Sequence, residues 1–172
     1  MIEFARAFFN IALLRQGPQV LPASPLLFVL LIAATFLLVL GASLGFGFDV
    51  LLMLEREALA TGFGLTLTLA VLSIAGRRER FLQVAIAMLG TALVLAPIDI
   101  VLLSVAGAIG SAADPPDWVR TLEVVELAWG VIISGHVYRC ALERSLLVCV
   151  LLALACEIMV ASAVEGLFPF KP

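Results

Sequence analysis

Charged side chains are scarce in this 172-residue sequence: Asp, Glu, Lys and Arg together make up 13%, where a soluble domain carries about a quarter. Lys171 is the only lysine, and His136 and Tyr138 are the only residues of their kinds. One histidine rules out a histidine-rich metal site, and no HExxH, GxSxG or Walker loop is present. Ser134 and His136 do not make a catalytic dyad, because side chains two apart on a helix point away from each other. The three cysteines, Cys140, Cys149 and Cys156, are odd in number and lack CxxC spacing, so neither a disulfide framework nor a thiolate metal site follows. Cys149 and Cys156 read as apolar filler. A net charge of −3 without clustered Lys and Arg argues against a nucleic-acid partner. No enzyme activity and no cofactor are expected.

What is present in quantity is apolar side chain, 63% of residues with a mean hydropathy of +1.20. A chain of this size could not hide that much in one water-soluble core. Several apolar runs approach the roughly 20 residues that cross a bilayer. The expected fold is all-α: one integral membrane domain over 1–172, a polytopic transmembrane helical bundle of about five spans. The spans are expected near 26–46, 58–76, 81–105, 119–138 and 145–168. An N-terminal amphipathic helix over 1–16 precedes them, with Phe4, Phe8, Ile11 and Leu14 at helical spacing and Arg6 and Arg15 polar. That pattern suits a helix lying in the membrane interface or packed on the bundle. Gly17, Pro18, Pro22 and Pro25 break the helix before the first span.

Within the spans, Gly41 and Gly45 form a GxxxG that permits close helix approach. Ala60, Gly64 and Thr68 give the second span a small-residue face, and Asp49, Glu55, Arg56 and Glu57 read as an acidic connector before it. Pro97 interrupts the third apolar run. Either the helix kinks there, or the span ends near Pro97–Leu103 and Asp99 snorkels to the headgroups; the second is the simpler expectation. With the N-terminus inside, Arg6, Arg15, Arg77, Arg78, Arg80, Arg139 and Arg144 fall on inner segments, against Arg56, Arg120 and Lys171 outside. That bias predicts a cytoplasmic N-terminus and an outer C-terminus. The compact loops suit a bacterial inner membrane.

The chemistry sits in the fourth span, where Glu123 and Glu126 share about a quarter of the helix circumference with Gly130 and Ser134. The fifth span carries a similar stripe of Ala153, Glu157 and Ala161. Counting about 1.5 Å per residue, Glu126 and Glu157 lie about 18 Å from the inner boundary, with Glu123 and Asp99 further out. No basic residue lies at that depth, and close carboxylates cannot all stay ionised in a low dielectric. Glu126, Glu157, Glu123 and Asp99 are therefore the candidate site, for a proton or cation or as polar glue between helices. His136, beside Tyr138 and Arg139, is expected to be an interfacial residue.

The layout resembles the Yip family of small membrane proteins: the proline-rich QGPQVLPASP before the first span, the short basic turns RRER and RCALER, and five closely spaced spans. The resemblance implies a helix bundle that organises partners or bilayer shape. The family's motif centred on Asp-Leu-Tyr-Gly-Pro is absent, and no functional residue is carried over. A non-enzymatic scaffold or assembly factor is the leading expectation, with the lipid bilayer, other membrane proteins or a second copy as partner. A small proton- or cation-coupled transporter or channel is the alternative.

Overall fold

The structure, a computed structural model, describes residues 2–109 and 116–169. The remainder of the turn before Pro116, and Lys171 with its part in the charge count, lie outside the described residues. The elements among the described residues are all helices, with no strand. The helices are α1 (Ile2–Ala12), α2 (Pro25–Phe46), α3 (Val50–Ile74), α4 (Phe81–Ile109), α5 (Asp117–Leu142) and α6 (Leu146–Leu167).

Local chemistry sets the ends. Ser24 caps α2 by accepting from the Leu27 N–H at 3.3 Å, with Pro25 at the first helical position, where its missing donor costs nothing. Gly47, in the left-handed region at φ 73°, stops α2, and Asp49 starts α3 by accepting from the Leu52 N–H at 3.1 Å. The link between those helices is thus three residues long. Glu55, Arg56 and Glu57, read from sequence as connector, belong to the first turns of α3. Ser145 caps α6 in the same way.

α4 also departs from the simpler expectation: it runs on through Pro97 to Ile109. Proline costs the helix one hydrogen bond, from the Leu93 carbonyl, but does not end it. Asp99 consequently stays on the helix barrel well before its end.

Four helices, α2, α3, α4 and α6, are long and apolar enough to cross a membrane. α5 is as long but carries Glu123, Glu126 and His136. Leu30, Leu37, Leu44, Leu51, Ile74, Leu147 and Leu151 point outward with more than half their surface open, an arrangement suited to lipid. The five long helices close a ring: α2 touches α3 and α4, α3 touches α6, α6 touches α5, and α5 touches α4.

Packing is uneven along the ring. The main core joins Leu31, Leu72, Val84, Ile86, Leu89, Val131, Val137, Tyr138, Cys149 and Ala153. These lie in the first turns of α2, α4 and α6 and the later turns of α3 and α5, all at one end, which also carries Arg77, Arg78, Arg80, Arg139 and Arg144. We call it the arginine-rich end. At the far end a small cluster of Leu102, Ala106 and Val119 joins α4 to α5. Between the two clusters the ring is loosely filled.

Two arginine clamps hold opposite ends. Arg80 donates to the carbonyls of Cys140 (3.3 Å) and Ala141 (2.9 Å) and to Glu143 (2.9 Å), and Arg77 donates to Glu143 at 3.1 Å. These are carbonyls at the C-terminus of α5, where helix geometry leaves acceptors unpaired and the dipole favours a cation. At the far end Arg56 donates to the Phe168 carbonyl and Glu165, doing the same for α6.

α1 packs on α4 through Phe8, Ile11 and Ala12, all buried, and leaves Phe4, Phe9 and Leu13 exposed. Gly90 is the contact point: a Cβ there would lie 2.2 Å from the Phe8 ring. His136 lies toward the arginine-rich end of α5. It is buried, and its Nε2 lies 3.0 Å from the Gln16 carbonyl, pinning the connector that follows α1. Gln83 does likewise, donating to the Leu21 carbonyl at 3.1 Å.

Candidate functional site

α5 and α6 cross at close range. Gly135 faces Val150, where a Cβ would lie 2.7 Å from the Val150 Cα. From that point Glu126 is nine residues along α5 and Glu157 seven along α6, both toward the far end. At about 1.5 Å per residue they differ in height by only about 3 Å. Gly130, on the expected polar face, meets Leu95 of α4 in ordinary contact.

Two hollows result where packing loosens. One, of about 190 Å³, lies among α4, α5 and α6, with Asp99, Glu126 and Glu157 in its wall beside Thr91, Gly130 and Ser134. The second, about 220 Å³, takes walls from all five long helices. Thr35 comes from α2; Glu57, Thr61, Gly64 and Thr68 from α3; Met88 and Ala92 from α4; Ser134 and Tyr138 from α5; Cys156 and Glu157 from α6. Met88, Ala92, Ser134 and Glu157 line both, so the two adjoin. No arginine or lysine lines either.

Three of the four expected acids therefore meet at one hollow. Glu126 and Asp99 come within side-chain hydrogen-bonding reach of each other, and two carboxyl groups in that relation need a shared proton or a bridging cation. Glu157 faces the same hollow from α6. Asp99 and Glu157 are themselves exposed on that wall, and Glu123, also exposed, lies outside it, near enough to Asp99 for their charges to interact. Glu57 is the acid that sequence reading missed. Its carboxyl accepts from the Thr61 hydroxyl at 2.6 Å. The signal was available: the Ala60, Gly64, Thr68 stripe, continued one turn back, lands on Glu57.

The floor of the larger hollow toward the arginine-rich end is a polar contact inside apolar packing. The Thr68 and Tyr138 hydroxyls lie 3.0 Å apart, both residues buried, with the Met88 sulfur 3.7 Å from the Thr68 oxygen. Among the described residues no group of three or more His, Cys, Asp or Glu has the arrangement to hold a metal ion. Against family models, curated proteins and solved structures, the chain gives no match in any of the three comparisons.

Proposed function

We propose that this chain is an integral membrane protein of five spans, α2 to α6, that takes up a proton or a small monovalent cation at Glu126 and Glu157. Asp99 pairs with Glu126, Glu123 stands nearer the mouth, and Glu57 faces the same space from α3. One observation carries the reading: Glu126 and Glu157, from different helices, line a common hollow that no basic side chain enters. Carboxyl groups in low dielectric without a cationic partner are costly unless something neutralises them, and a transported proton or cation does so. No covalent chemistry is needed.

α5 serves as the fifth span because it closes the ring, with Glu126 in the wall of the hollow. The arginine-rich end faces the cytoplasm by the charge bias of the sequence, which leaves the hollows nearer the outer side. The short loops suit a bacterial inner membrane. α1 lies at the cytoplasmic interface, Phe8 and Ile11 on the bundle and Phe4, Phe9 and Leu13 in the acyl boundary.

The second reading, a scaffold of the Yip type, draws on Gly41 and Gly45. Both are exposed on α2 with nothing within 4 Å, so the GxxxG is unused within the chain and open to a partner helix or a second copy. Flux separates the two readings. Proteoliposomes holding the protein should conduct protons or alkali cations, and Glu126→Gln and Glu157→Gln should each suppress the signal. Protein-free rates in the wild type would leave the scaffold.

A further inference from the structure

We propose that Tyr138, held by Thr68, is the seal that keeps the carboxylate hollow closed toward the arginine-rich end, and that breaking it joins the hollow to a polar pocket on that side. The proposal rests on the ion-handling reading for its purpose but stands on separate geometry.

The larger hollow ends at Thr68, Met88 and Tyr138. A separate pocket opens at the arginine-rich end, lined by Gln19, Arg80, Gln83, Val84, Cys140 and Ala141. Met88 borders the hollow and Val84, four residues earlier on α4, borders the pocket; on α5 Tyr138 borders the hollow and Ala141, three residues later, the pocket. Four residues are one helical turn, so the partition is only about 6 Å thick. Its members are Tyr138 and Thr68, each 2% exposed, with Leu72, Val84 and Val137 fully buried behind them.

The apolar members of that partition are fully buried, and the polar contact within it is the hydroxyl pair at 3.0 Å. A helical side chain leans toward its own N-terminus. The Tyr138 ring therefore reaches into the hollow, toward Cys156 of α6 as well as Thr68. The Tyr138 ring is packed in the core with its hydroxyl held by Thr68, so loss of that bond loosens the tip of the ring where it closes the hollow. With the tip displaced, the hollow would reach Val84 and Ala141, which border the pocket. The hollow facing one side and the pocket facing the other are the two half-paths that alternating access requires.

Native cysteines report on both sides of the partition: Cys156 lines the hollow and Cys140 the pocket, while Cys149 is fully buried. A Cys140→Ser, Cys149→Ala background leaves Cys156 as sole reporter, read with a membrane-impermeant maleimide applied to either face of sealed vesicles. In this background Cys156 should react from the far face only. Thr68→Val and Tyr138→Phe, which remove one hydroxyl each, should raise its reaction from the arginine-rich face about fivefold, the population shift expected from one net hydrogen bond. Thr68→Ser keeps the hydroxyl and should leave labelling one-sided. Cys156 reacting equally from both faces without these substitutions, reacting from neither, or reacting unchanged in both variants would each overturn the seal. Labelling as expected with no ion flux would refute the ion reading alone and leave the seal standing.

Discussion

Replacing Gly135 by alanine tests whether the α5–α6 crossing is as close as the structure makes it, and hence whether Glu126 and Glu157 are held at one level. Alanine in place of glycine inside a helix ordinarily gains about 1 kcal/mol. At 135 the added Cβ would sit 2.5 Å from Val150 Cγ2, 2.7 Å from its Cα and 2.9 Å from its N. Two of those atoms are backbone, so no rotamer change relieves the clash. α6 cannot easily back away either, since Cys149 and Ala153 are buried on the same side and the loop from Leu142 to Leu146 is short. Overpacking of this kind costs about 1–3 kcal/mol; with rigid backbone the upper end applies, and the net loss is about 1–2 kcal/mol. Thermal unfolding in detergent should show Gly135→Ala several degrees below wild type, about 2–8 °C on the scale of a chain this size. Adding Val150→Ala should not restore it, because the Cα and N contacts remain. Gly62, exposed with nothing within 4 Å, is the control, and Gly62→Ala should be neutral or stabilising. Gly135→Ala matching Gly62→Ala would refute the packing argument, and with it the common height of the two glutamates.

At Gly90 the obstacle is the Phe8 ring, 2.2–2.6 Å from an added Cβ, a side chain on a helix that can leave. Gly90→Ala should cost the bundle less than Gly135→Ala but free α1, seen as faster proteolysis between Leu13 and Pro25; unchanged protection would contradict the docking. At the arginine-rich end, the Arg80 hydrogen bond, then the charges of Arg77 and Arg80, hold the Glu143 carboxyl below its ordinary value near 4.5. A lowered carboxylate stabilises the fold above its unfolded value, and the contribution is lost as pH falls through the folded one. Wild-type melting temperature should therefore drop on acidification below about pH 4.5 more steeply than that of Glu143→Gln. Arg80→Gln should weaken the same pH dependence, Arg77 keeping part of it, and also leave the Cys140 and Ala141 carbonyls short of a donor; parallel pH curves for all three proteins would rule the clamp out.

Sequence reading and structure agree where one physical signal dominates. The α2 bounds were legible because uninterrupted apolar residues lie between a Ser-Pro start and a Gly stop, and the small-residue face of α3 does point inward, at Gly64 and Thr68. Failures came where charge was taken as a boundary. Glu55, Arg56 and Glu57 look like a connector by composition, yet Asp49 already supplies the helix start, and Arg56 is drawn onto the α6 terminus by carbonyls that local sequence does not reveal. The third span was expected to end near Pro97–Leu103, but a proline costs one hydrogen bond, and α4 runs through it to Ile109. The burial of His136 was not legible because its partner is a backbone carbonyl 120 residues away. The meeting of Asp99, Glu126 and Glu157 was foreseeable as faces on separate helices. Which faces meet depended on the ring order, set by long-range packing.

Glu157 is the carboxylate common to both hollows, whereas Glu123 lies outside them. The most direct measurement is therefore cation and proton flux in proteoliposomes for wild type, Glu157→Gln and Glu123→Gln, at matched protein content. The account predicts flux in the wild type, its loss by at least about tenfold in Glu157→Gln, as for removal of a group that binds the moving ion, and its retention in Glu123→Gln. Equal flux in all three, or none in any, would contradict it.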